Sequence, residues 1–218
     1  MLLTPGALID YFQDCSTLHA HDCGVGVPYL KTLGQAWVTI SWQIQISRMP
    51  QISDPVRTKT WAYSFKSFFG NRHYTLEDPA GEEYARAIGI WVLMDMVNGK
   101  PVKVPDEMIN AYGIGPQLDM EQVSRKIRLP GEGERSEEPF HVGRQLLDSN
   151  HHVNNAQYIS LAADYLPEGF TIHRIRAEYR MQAKLGDMIC PAIVPVENGY
   201  GVSLRSAEGS PYAVVVFG

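Results

Sequence analysis

The sequence predicts an α+β fold of two similar units, in each of which a long antiparallel sheet wraps one helix. Three observations predict it. Two-residue hydrophobic alternation recurs in both halves, one helical segment accompanies each set of strands, and a Pro- and Gly-rich stretch at 101–138 separates the sets. A chain of 218 residues has room for two such units.

Thr4-Pro5 opens the first helix, because a threonine hydroxyl caps free N–H groups and proline is preorganised for the first helical position. It is expected to run to about His19, with Leu8, Phe12 and Cys15 on one apolar stripe. Gly24 and Gly26 follow and end it. From 38 to 46 the even positions Val38, Ile40, Trp42, Ile44 and Ile46 are apolar and the odd ones polar, the pattern of a half-buried strand. Strands at 56–66 and 71–77 come next, then the turn Asp78-Pro79-Ala80-Gly81 and a fourth strand at 84–95.

The stretch 101–138 carries Pro101, Pro105, Pro116 and Pro130 with Gly113, Gly115, Gly131 and Gly133, and reads as a connector with one short helix near 105–111. The first order then recurs: a strand near 139–147, a helix near 154–165, and strands near 172–185, 190–196, 200–206 and 211–217. In 172–185 the odd positions Ile175, Ala177, Tyr179 and Met181 are apolar while Arg174, Arg176, Glu178 and Arg180 are charged, which predicts a solvent face.

Composition narrows the function. Lys and Arg total 19 against 24 Asp and Glu, a net charge of -5, so no basic field favours nucleic acid. At 44% hydrophobic and 20% charged the chain is ordinary for a globular protein, not a disordered one. The longest uncharged stretch, Thr32 to Ser47, is broken by polar side chains and is too short to span a bilayer. The N-terminus lacks a secretory pattern, and three cysteines (Cys15, Cys23, Cys190) make neither a disulfide framework nor a zinc ribbon, so a reducing cytoplasm is expected. His19, His21 and Cys23 alternate as if on a strand but lack the paired spacing of a zinc site.

The densest polar cluster is Asp148-Ser149-Asn150-His151-His152-Val153-Asn154-Asn155, where a strand hands over to a helix. Such a junction offers backbone N–H groups and the positive end of a helix dipole to a developing oxyanion. Asp148 can serve as base or nucleophile, His152 can orient or activate water, and Asn150 can hydrogen-bond either. The same residue types equally suit a purely structural purpose, capping the helix and shaping the turn.

Asp148-x-Asn150-x-His152-Val153-Asn154-Asn155, followed by Ala156 and Tyr158, resembles the acyl-[acyl-carrier-protein] thioesterases of plants and bacteria. In the first half the resemblance extends to Trp42, Ile46-Ser47-Arg48-Met49-Pro50, Thr60-Trp61, the 78–81 turn, Ile90-Trp91-Val92 and Lys100-Pro101-Val102. It implies a double hotdog: an N-terminal hotdog over 1–100 that shapes the acyl pocket, a connector over 101–138, and a catalytic C-terminal hotdog over 139–218. It further implies hydrolysis of fatty acyl thioesters of acyl carrier protein, without metal or cofactor. Trp42, Trp61 and Trp91 then become candidates to line the acyl pocket, and the N–H groups of Val153, Asn154 and Asn155 to hold the oxyanion.

Two departures qualify this. The family's Glu-Tyr-Arg-Arg-Glu-Cys stretch stands here as Glu178-Tyr179-Arg180-Met181-Gln182-Ala183. Gln182 can hold a water but cannot take its proton, and Ala183 removes a cysteine nucleophile, so the base role moves toward Asp148. A strand that usually precedes the first helix is also missing. An acyl-coenzyme A thioesterase and a non-catalytic acyl-binding module are the alternatives, and both a monomer and a homodimer suit two fused hotdogs. Because the chain is acidic, docking of an acidic carrier protein requires a local basic patch; Arg174, Arg176 and Arg180 are the candidates on one strand, with Arg125, Lys126 and Arg128 on the connector.

Overall fold

A computed structural model describes residues 1–218, which form two compact units. The first comprises Met1–Leu2 and Asp10–Val123, and the second Leu3–Ile9 and Ser124–Gly218.

Helix α1 covers Pro5–Asp22, with Thr4 accepting the Ala7 N–H through its hydroxyl (3.2 Å). Gly24 ends it in the left-handed region (φ 74°), its N–H bound to His21 O. His19 and His21 therefore sit on a helix and Cys23 just beyond it, not on a strand; one turn apart, His19 Nε2 and Cys23 Sγ come within 3.6 Å of each other. A second helix, α2 (Val27–Thr32), follows; six residues opened by a proline leave little periodicity to read. Then come β1 (Gln35–Ile46), β2 (Arg57–Lys66), β3 (Phe69–Glu77) and β4 (Glu83–Asp95), paired antiparallel in the order β2-β3-β4-β1. The short β5 (Lys100–Pro101) pairs with the end of β4, and α3 (Asp106–Tyr112) buries Met108 beside Val25, Leu30, Leu93 and Val104.

The helix side of the first sheet is aromatic. Phe12 of α1 lies 5.2 Å from Tyr74 and 6.0 Å from Trp42, ring centre to ring centre, and the Trp91 indole donates to the Tyr74 hydroxyl (2.9 Å). Gly89 makes room, since a Cβ there would stand 2.8 Å from the Trp42 ring. Near the far end of α1, Arg72 is only 7% exposed and has no carboxylate partner. Its guanidinium donates to His19 Nδ1 (2.8 Å) and to the Thr60 hydroxyl (3.3 Å), which requires a neutral imidazole.

The alternation expected along β1 fails midway. Ile40 is an extra residue, since Thr39 opposes Trp91 and Ser41 opposes Ile90. Ahead of this bulge the sides exchange: Thr39 is buried, Trp37 packs on the Met108 cluster, and Val38 and Ile40 are half-exposed.

Residues 114–121 strap the opposite face of the same sheet. Gly115 N–H bonds Ala62 O (2.8 Å), the Trp61 indole donates to Pro116 O (2.6 Å), and Leu118 N–H donates to His73 Nε2 (3.2 Å). Arg86 reaches Asp119 O, and Gln43 reaches Glu121 O. His73, Thr75 and Glu77 are buried under this cover.

In the second unit β6 (Arg135–Ser136) and β7 (Phe140–His141) are two-residue strands, and a 3-10 turn at Arg144–Leu146 replaces the rest of the expected 139–147 strand. Helix α4 (Asn155–Ala163) precedes β8 (Arg174–Tyr179), β9 (Met188–Val196), β10 (Gly199–Arg205) and β11 (Pro211–Phe217). The order is β8-β11-β10-β9-β6, with β7 also on β9. The strand expected over 172–185 stops at Tyr179 and the chain loops back through 180–187. Tyr158 of α4 packs near Tyr179, whose hydroxyl donates to Asn155 O (2.9 Å). Each unit is thus an antiparallel sheet with a helix laid against it, the α+β hotdog arrangement.

Candidate active site

The turn at 148–152 is organised by the Asp148 carboxylate. Its Oδ1 accepts the Asn150 N–H (2.8 Å) and the His152 N–H (3.3 Å), while the Asp148 N–H donates to His152 O (2.8 Å). Within this loop His151 adopts φ 60°. Asn154 caps α4, its Oδ1 accepting the Ala156 N–H (2.9 Å). Structural and chemical duties therefore coincide at Asp148: one oxygen holds the turn, and Oδ2 has only a 3.5 Å approach from the Asn150 amide. Asp148 and His152 are half-buried and Asn150 is exposed. The His152 imidazole makes no hydrogen bond to Asp148.

A second segment closes the corner. Ala183 is held through both backbone groups: its N–H donates to the Tyr158 hydroxyl (2.9 Å) and its carbonyl accepts the Val153 N–H (2.9 Å). Burial pushes the Tyr158 hydroxyl up to about 12, so it stays protonated. The segment 182–184 thereby runs beside 152–153, with His152 bridged to Lys184 and Leu147 to Val153. Gln182 enters the corner through this pairing, and its exposed amide makes no hydrogen bond. Tyr158 and Lys184 are the residues that sequence reasoning left without a role. A tyrosine hydroxyl that grips a backbone N–H 25 positions away leaves no local signal.

Two of the three expected oxyanion donors require correction. Val153 N–H is spent on Ala183 O and Asn154 N–H on Leu146 O (3.0 Å), because both residues flank bridges that tie the turn to its neighbours. Asn155 N–H, at the start of α4, stays free to donate.

The tryptophans divide. Trp42 and Trp91 share the helix side with Tyr74, whereas Trp61 stands opposite His73 and lies under the strap, so it does not join them. Among the arginines, Arg174 is exposed, but Arg176 donates to Ser124 O (2.7 Å) and Arg180 to Ile127 O (2.7 Å). Glu178 is not on a solvent face: it is buried between Arg180 and the Ile127 N–H, each 2.8 Å away. No helix is long and apolar enough to cross a membrane.

Residues 3–112 match the family described as acyl-ACP thioesterase N-terminal domain, and residues 131–205 that described as acyl-ACP thioesterase C-terminal domain. Among curated proteins the chain is 26% identical over 214 residues to the chloroplastic acyl-[acyl-carrier-protein] hydrolase FATB2 of Cuphea viscosissima, covering 89% of this chain and 52% of that protein. It spans about half the length of the curated relatives it matches. Its fold is similar to that of an acyl-ACP thioesterase from Bacteroides thetaiotaomicron, with a TM-score of 0.91 at 21% identity over 99% of this chain and 89% of that one. The 12:0-ACP thioesterase from Umbellularia californica gives 0.83 at 17% identity, over 99% of this chain and 89% of that one.

Proposed function

Because this chain belongs to the acyl-ACP thioesterase family, we propose that it hydrolyses fatty acyl thioesters of acyl carrier protein to free fatty acid and carrier protein. The observation that carries this reading is the corner where the 148–152 turn, the start of α4 and segment 182–184 meet, within the match to the C-terminal domain. Asp148 accepts a proton from water through its lightly engaged Oδ2, and the water oxygen adds to the thioester carbonyl. His152 and Asn150 orient that water, Gln182 holds it by hydrogen bonding, and Asn155 N–H faces the developing oxyanion. Collapse of the intermediate breaks the C–S bond, and the thiolate leaves with the proton.

Trp42 and Trp91 line the acyl side in this reading, and exposed Arg174 carries the first contact with an acidic carrier protein. The three free cysteines support a reducing compartment such as the cytoplasm.

The test is turnover by the purified chain on acyl carrier protein thioesters of graded acyl length, with the matching coenzyme A thioesters alongside. Asp148→Asn retains an oxygen for the Asn150 N–H, so it preserves the turn while removing the base; kcat is expected to fall at least about 100-fold. An unchanged rate in both Asp148→Asn and His152→Ala removes this site. Higher kcat/KM on coenzyme A thioesters replaces the carrier, and tight acyl binding without hydrolysis replaces the enzyme by a binding module.

A further inference from the structure

Only the Asn155 N–H and the dipole of a nine-residue helix remain free as backbone oxyanion donors, with Val153 and Asn154 both engaged. One cation lies next to that deficit. His152 and Lys184 are bridged antiparallel residues, and the bond that flanks them runs from Val153 N–H to Ala183 O. That pattern makes His152 and Lys184 a non-hydrogen-bonded pair, in which Cα atoms stand about 4.5 Å apart and both side chains leave from the same face. Lys184 is exposed and pairs with no carboxylate. Asp187, the acid of its own loop, instead accepts the Lys184 backbone N–H (2.8 Å) and a long approach from the Tyr212 hydroxyl (3.5 Å). Gln182, on the same segment, is neutral.

We propose that Lys184 is a catalytic residue of this site, its ammonium group donating a hydrogen bond to the thioester carbonyl oxygen as negative charge develops there. The inference rests on the hydrolase reading above. As the water oxygen bonds to the carbonyl carbon, the C=O π pair moves onto oxygen and the water's proton goes to Asp148. Lys184 keeps its own protons and offsets the new charge. When the C=O bond re-forms, the C–S pair leaves with sulfur, which takes the proton back from Asp148. A flexible ammonium on a four-carbon stem suits a charge that appears only in the transition state.

The experiment compares wild type, Lys184→Met and Lys184→Arg on an acyl carrier protein thioester and on a small acyl-pantetheine thioester, with melting curves confirming that each variant is folded. Loss of an oxyanion donor that is partly open to solvent is expected to lower kcat about 10- to 100-fold on both substrates. KM is expected to stay within about 3-fold, and Lys184→Arg to recover most of the rate. A rise in KM for the carrier protein alone, with kcat intact, makes Lys184 a docking contact and overturns the proposal. Wild-type rates on both substrates in Lys184→Met make it a solvated surface charge and overturn it equally. A folded wild type that turns over neither thioester refutes the hydrolase reading, and the assignment falls with it; turnover by wild type separates the two failures.

Discussion

Replacing Glu178 with alanine tests the latch that holds residues 124–128 against β8. The Glu178 carboxylate accepts the Ile127 N–H and an Arg180 N–H, each at 2.8 Å, and the same Arg180 nitrogen donates to Ile127 O at 2.7 Å. Glu178 is 6% exposed, so its removal leaves the Ile127 N–H without an acceptor in the interior, a cost of about 1–3 kcal/mol. The Arg180 side chain is 37% exposed, and solvent screening limits its share of the ion pair to about 0.5 kcal/mol. The expected loss is therefore about 2–3 kcal/mol, a fall of about 5–10 °C in melting temperature for a chain of this size. Glu178→Gln keeps an oxygen for the Ile127 N–H and is expected to lose only about 1 kcal/mol. Urea denaturation of the three proteins measures this, and limited proteolysis of 124–128 reports whether the segment has come free. An alanine variant within about 0.5 kcal/mol of wild type, or a glutamine variant below the alanine one, refutes the latch.

Two further outcomes follow from buried and exposed cations. Burial foremost, and then Arg72, holds His19 below the ordinary imidazole value, with Asp22 opposing; burial does the same to His73. An unfolded histidine binds a proton below about pH 6.5 while these do not, so stability is full above that pH and falls as pH drops toward the folded values. Urea midpoints are expected to fall between pH 7.5 and 5.5, and His19→Asn, which keeps an acceptor for Arg72, to flatten the fall; an unchanged slope refutes it. Arg174→Glu is expected to lower kcat/KM for acyl carrier protein substrates several-fold and weaken its salt dependence while sparing small thioesters, because rim charges act on association. Arg176 and Arg180 are unsuitable for that experiment, since reversing either also unties the connector.

Long elements were legible where local chemistry and burial agree. Thr4-Pro5 and Gly24 bound α1 as expected, and the turn at 78–81 separates β3 from β4. The Asp148–Asn155 cluster does lead into a helix, since asparagine at the cap carries its own local signal, but a 3-10 turn and not the expected strand precedes it. The rest depends on distant contacts. Glu178 reads as a solvent-face residue until Ile127, 51 positions away, supplies the N–H it accepts. His73, Thr75 and Glu77 sit on what alternation marks as an outer face, yet the strap at 114–121 buries them. Whether the amides of Val153 and Asn154 are free depends on Ala183 and Leu146, and no motif records hydrogen bonds already made.

The extra residue at Ile40 limits which length changes β1 can absorb. Side chains on a strand repeat every two residues, so one residue inserted or deleted inverts everything on one side of the change. Here one such inversion is already built in, and it is what lets Trp37 and Trp42, an odd and an even position, both turn inward. Deleting Ile40 itself removes the bulge and restores regular pairing: Ser41 then follows directly on Thr39, and Trp37, Val38 and Thr39 keep the partners and the sides they already have. A single residue lost anywhere else in β1 leaves the bulge in place and inverts the residues on one side of the gap. Natural one-residue length variation in this strand is therefore expected at position 40, and a lone gap elsewhere in β1 marks a relative whose first sheet has been repacked.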